Sequence, residues 1–183
     1  MKEKSLSIQQ LAVIGVMSAV ICILAPFSIP IGVVPISFTN LAVYIAIYVL
    51  GTKKGTISYL IYLLIGLVGV PVFSGFTSGP GKLFGPTGGY LIGFAFMALI
   101  SGIFIDRFTN KMYLCFIGMI IGTAVCYLLG TIWLAYQAGL SFQAALAAGV
   151  IPFIPGDLIK IVIATLIGAQ LRKALKKAGL YQS

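Results

Sequence analysis

Six apolar runs follow one another along this chain, none of them alternating polar with apolar residues: Ile8 to Ala25, Ile36 to Leu50, Thr56 to Val72, Thr87 to Ile105, Met112 to Tyr136, and Pro155 to Leu171. In hydrocarbon, every backbone N–H and C=O must be satisfied within its own segment, so such a run is a helix unless it alternates as a barrel strand does. Only 8% of the 183 residues are charged, against roughly a quarter in soluble domains. The expectation is an all-α integral membrane protein of six transmembrane helices, forming a single domain over residues 1–183. Pro26, Pro30 and Pro35 with Gly32 blur the start of the second run and suggest a folded external loop. Because those prolines, rather than a small-residue cleavage site, follow the first run, it reads as a membrane helix and not a removable signal.

The charges fix the count and the orientation. Lys2, Lys4, Lys53, Lys54, Arg107, Lys111, Arg172, Lys173, Lys176 and Lys177 all fall on one face of a six-helix arrangement, with Lys82 on the other. Basic residues stay cytoplasmic, so both termini are expected inside. Adding or removing one helix would scatter them. The net charge of +9 therefore reflects topology; a nucleic-acid surface would gather cations and aromatics on a water-facing patch. The absence of histidine removes the commonest metal ligand and general base. Cys22, Cys115 and Cys126 lie inside apolar runs without metal-ligand spacing and read as packing residues. With no carboxylate pair and no nucleophile beside a base, an enzyme is the weakest reading.

Four charged residues stand apart from the inner-face cations and Glu3. Asp106 reads as a solvated neighbour of Arg107 at the inner boundary. Asp157 and Lys160, three apart, share a helical face within the first two turns of the last span. Ionisable groups at that depth are costly unless paired or wetted, which marks them for function; pairing with each other is the bland alternative. The preceding stretch from Ile151 to Gly156 looks like a shaped loop feeding a helix N-terminus, suited to an anionic or carbonyl group. Lys82 lies in the segment Phe73 to Gly89, which holds six glycines and two prolines in 17 residues. It is no P-loop, since position 76 is Phe where glycine is needed and 83 is Leu where Ser or Thr is needed. Phe73, Phe76 and Phe84 argue for an ordered lid or pocket wall, with Ser74 and Gly75 at its start. Asn40 and Tyr44 share a face at i, i+4, and Tyr90 opens the fourth helix; such tyrosines are more often interfacial anchors. Gly15 with Ala19, and Gly118 with Gly122, have the four-residue small spacing that allows close helix contact.

Taken together, the glycine-rich external loop, the Pro155-Gly-Asp-Leu-Ile-Lys160 sequence, the size and the topology resemble the BioY family, the biotin-specific S components of energy-coupling factor (ECF) transporters. The resemblance covers essentially the whole chain. It implies a prokaryotic plasma-membrane protein that captures biotin from outside, has no ATPase and no cofactor of its own, and works with a transmembrane coupling protein and two cytoplasmic ATPases. It implies further that Gly15 and Ala19, where the family commonly has alanine at both, dock on the coupling protein. Asp157 would accept a ureido N–H, with Lys160 holding a carbonyl or orienting Asp157; Lys82 or Lys160 is available for the carboxylate. A small dimeric proton-coupled transporter, with Asp157 as proton carrier, is the alternative.

Overall fold

The computed structural model describes residues 8–178, so Lys2 and Lys4 lie outside the described residues. In chain order come α1 (Ile8–Leu24), β1 (Ser28–Ile31), β2 (Val34–Ser37), α2 (Thr39–Leu50), α3 (Thr52–Leu67), α4 (Pro80–Leu83), α5 (Gly88–Arg107), α6 (Met112–Ala138), α7 (Phe142–Gly149), a 3₁₀ turn at Ile151–Phe153, and α8 (Ile154–Lys177). A helix thus lies at each of the six apolar runs. Among the described residues three segments are long and apolar enough to cross a membrane, α5, α6 and the stretch Phe142–Lys177, while α1 and α2 are shorter apolar helices.

The proline-rich loop before α2 is an antiparallel hairpin, which moves the start of that helix from Ile36 to Thr39. Gly32, at φ +71, opens a two-residue turn of the type that matches strand twist. Pro30 and Pro35 stand opposite each other. That non-hydrogen-bonded register is one where neither missing N–H is needed. Between α2 and α3 the chain reverses on Gly51 alone, at φ +79. Close contact there also demands Gly55, where a Cβ would sit 2.9 Å from the Ile47 backbone. The third helix accordingly runs four residues earlier than hydropathy implies, taking Lys53 and Lys54 into its first turn.

The most extensive helix contact is between α5 and α6. A Cβ on Gly118 would overlap Phe104, and one on Gly122 would overlap Ser101, so that small pair serves packing inside the bundle. The small pair on α1 does not. On its buried side Ser18 Oγ lies 3.1 Å from the Ser58 carbonyl and Ser58 Oγ 3.2 Å from that of Ile14, while Gly15 and Ala19 face outward and a Cβ on Gly15 would meet open space.

Asp106 is exposed, as expected, but its partner is not Arg107. Consecutive helical residues point about 100° apart, and Asp106 instead pairs with Arg172 of α8. Its other oxygen accepts from the Thr52 backbone N–H at 2.8 Å and from Thr52 Oγ1 at 2.5 Å, and Arg172 also donates to the Ile105 carbonyl at 3.1 Å. Three helix ends are clasped at one point.

Candidate functional site

At the opposite end of α8, the chain enters through the Ile151–Phe153 turn, and Pro155 sits in the first helical turn, where its missing N–H is not needed. Asp157 and Lys160 follow on one face, both nine-tenths buried, with Lys160 Nζ 3.0 Å from Asp157 Oδ1. The pair does more than neutralise itself. Lys160 also donates to the Ser37 carbonyl at 2.7 Å, tying the hairpin to α8. Asp157 Oδ2 accepts from the Tyr127 hydroxyl at 2.6 Å. A carboxylate accepts at about four lone-pair positions and an ammonium has three protons, so both groups retain capacity for a ligand.

They open onto a cavity of about 670 Å³, its open mouth included. The hairpin supplies one wall through Val34 to Ser37, α5 another through Tyr90, Leu91 and Phe94, and α6 a third through Thr123, Cys126 and Tyr127. Among the residues singled out in the sequence, Asn40, Ser74, Lys82, Tyr90, Asp157 and Lys160 line this one space. Lys82 reaches it from α4, and partial burial pushes its ammonium below the usual lysine range.

Four others do not line it. Tyr44 is fully buried beneath, its hydroxyl 2.6 Å from Thr123 Oγ1, so it supports a wall residue and is no interfacial anchor. Phe73 is also fully buried, edge-on to Tyr62 and filling the space left by Gly66; it pins the glycine-rich segment to α3. Gly75, at φ +74, donates its N–H to the Pro26 carbonyl at 2.9 Å, and the next residue, Phe76, also has positive φ and packs edge-on against Phe27. Phe84 is 62% exposed rather than a wall of the pocket; its carbonyl accepts from Gln137.

Tyr127 and Ser37 were not legible as site residues. Ser37 acts through its backbone, which no side-chain pattern reveals. Tyr127 had a signal: Thr123, Tyr127 and Thr131 form a polar stripe at four-residue spacing in an otherwise apolar helix.

An apolar helical bundle with a largely apolar cavity beside a buried ion pair has the features of a membrane-embedded ligand-binding protein. Residues 1–177 match the model of the BioY family, and the chain belongs to that family. The biotin transporter BioY2 of Lactococcus lactis subsp. cremoris is 36% identical over 171 residues, covering 93% of this chain and 94% of the relative. The biotin transporter BioY of Thermotoga maritima is 37% identical over 165 residues, covering 90% and 96%. Among solved structures, the S component for biotin from an ECF-type ABC transporter superposes with a TM-score of 0.85 at 32% identity, covering 94% of this chain and 95% of that one. The chain is a multi-pass membrane protein of a transporter family, not an enzyme.

Proposed function

We propose that this chain is the biotin-capturing S component of an ECF-type importer in a prokaryotic cell membrane. The observation that carries the reading is the buried Asp157–Lys160 pair at the wall of a largely apolar cavity. Biotin offers two ureido N–H donors, a strongly accepting ureido carbonyl, an apolar thioether ring and a carboxylate. Asp157 accepts a ureido N–H, and Lys160, already 2.7 Å from Ser37 O, orients Asp157 and keeps one proton for the ureido carbonyl. Leu91, Phe94 and Phe153 cover the ring and chain. Lys82 takes the carboxylate, with Asn40, Ser74 and Tyr90 as the remaining polar contacts, while Tyr44, Phe73, Gly75 and Phe84 shape or anchor the surrounding segments.

In this reading the chain is one domain with six spans and both termini in the cytoplasm, which the placement of its cations supports. ATP is used by two partner ATPases, and the open α1 face at Gly15 and Ala19 meets the transmembrane coupling protein, where small residues permit close backbone approach. Reconstitution into vesicles tests this directly. Biotin uptake is expected only with the coupling protein and hydrolysable ATP present; uptake by the chain alone under a proton gradient would establish a self-sufficient carrier instead.

A further inference from the structure

Behind the ion pair, the seam between α6 and α8 is thin. A second hollow of about 450 Å³ opens there, its apolar lining including Ile120, Leu158 and Ile161, and three residues, Thr123, Tyr127 and Asp157, line both this hollow and the main cavity. Its rim carries Ile120, Ile154 and Leu158, each more than a third exposed, as expected of side chains that meet lipid. The partition between the two spaces is therefore built from these three residues, with the Tyr127 hydroxyl joined to Asp157 Oδ2 at 2.6 Å.

We infer that Tyr127 is a positioning residue that closes the binding cavity against the bilayer, its hydroxyl capping the membrane side of Asp157 and holding the carboxylate turned toward the ligand. A carboxylate oxygen left open to hydrocarbon is strongly disfavoured. Without the phenol, Asp157 must swing toward Lys160 or admit water through the seam, and either change spoils the acceptor that the proposed ureido contact uses. The positioning half of this inference rests on the biotin reading; the partition half does not.

Two measurements on the purified full chain in nanodiscs separate them. Cys126 lines the main cavity one residue from Tyr127. In a Cys22→Ser, Cys115→Ser background, Tyr127→Ala is expected to raise the rate of Cys126 modification by a lipid-soluble maleimide at least tenfold relative to a charged, water-soluble one. An unchanged ratio overturns the partition.

Biotin titration of Tyr127→Phe, Asp157→Asn and the double variant then tests positioning. Tyr127→Phe is expected to weaken binding about tenfold alone and less than about twofold when added to Asp157→Asn, since groups that act as a unit are not additive. Wild-type affinity in Tyr127→Phe, or losses that multiply, would overturn the role. Failure of the wild-type chain to bind biotin would contradict the proposed function and positioning together, and leave the thiol ratio to judge the partition.

Discussion

Two aspartate–cation pairs stand at opposite ends of α8, and they differ less in chemistry than in surroundings. Asp106 and Arg172 are engaged with the backbone and hydroxyl of α3 and a carbonyl of α5, so the pair is consumed in joining three helix ends. Asp157 and Lys160 hold each other, Tyr127 and the hairpin, yet they also form the wall of a cavity with acceptor and donor capacity to spare. In the proposed reading, a charge in the bundle serves binding where space lies beside it. Where neighbouring groups absorb its hydrogen bonds, the same charge is a joint.

The largest expected divergence between the two ends comes from removing each carboxylate. Asp157→Ala should weaken biotin binding by about 2–5 kcal/mol, roughly 30- to several-thousand-fold, because Lys160 is left buried without its partner. Asp106→Ala should leave the dissociation constant within about threefold and appear instead as a thermal midpoint lower by several degrees. Equal losses of affinity in titrations of both variants would erase the distinction.

Glycine sockets sharpen it at intermediate size. A Cβ on Gly149 would collide with the Tyr90 hydroxyl at the cavity, and one on Gly168 with the Tyr48 ring nearer the inner clasp. Overpacking of this kind costs about 1–3 kcal/mol. Gly149→Ala should therefore cost about tenfold in biotin affinity, and Gly168→Ala should lower stability alone; a melting curve and a titration for each decide it.

Lys82 predicts a pH dependence for the outer end only. Its ammonium attracts the ligand carboxylate while both are charged, so affinity should hold near neutral pH and fall as pH rises through the lysine's pKa. Burial lowers that pKa, so the fall comes below the ~10.4 of an ordinary lysine. Lys82→Met should weaken binding several-fold and flatten the profile; a retained inflection would assign the carboxylate to Lys160. The smallest effect belongs to Phe84→Ala. With its ring in solvent, a change of less than about twofold is expected from equilibrium binding.

The helices were legible because hydropathy and the cations both report on the bilayer, and each run did become a helix. The hairpin was visible only as a folded loop. Pro30 and Pro35 argue against strands in isolation, and only their cross-strand pairing makes them tolerable. The Asp157–Lys160 pair could be read from spacing on one helix. Its reach to Ser37, 123 residues away, and to Tyr127, 30 residues away, could not, since both contacts depend on how elements distant in sequence pack. Asp106 was misread for the same reason: its sequence neighbour Arg107 points elsewhere, and its partner lies 66 residues on. Aromatic content in the glycine-rich segment correctly indicated order, while Phe84 shows that an ordered loop still leaves some rings outside.

The proposed function stands or falls with biotin binding in the cavity beside Asp157. Equilibrium titration of the purified chain, without partners or ATP, against biotin and a panel of other vitamins tests it most directly, with Asp157→Ala and Asp106→Ala measured alongside. Tight, saturable binding of biotin alone is expected, lost in Asp157→Ala and kept in Asp106→Ala. Binding of no vitamin, or biotin binding indifferent to Asp157, would contradict it.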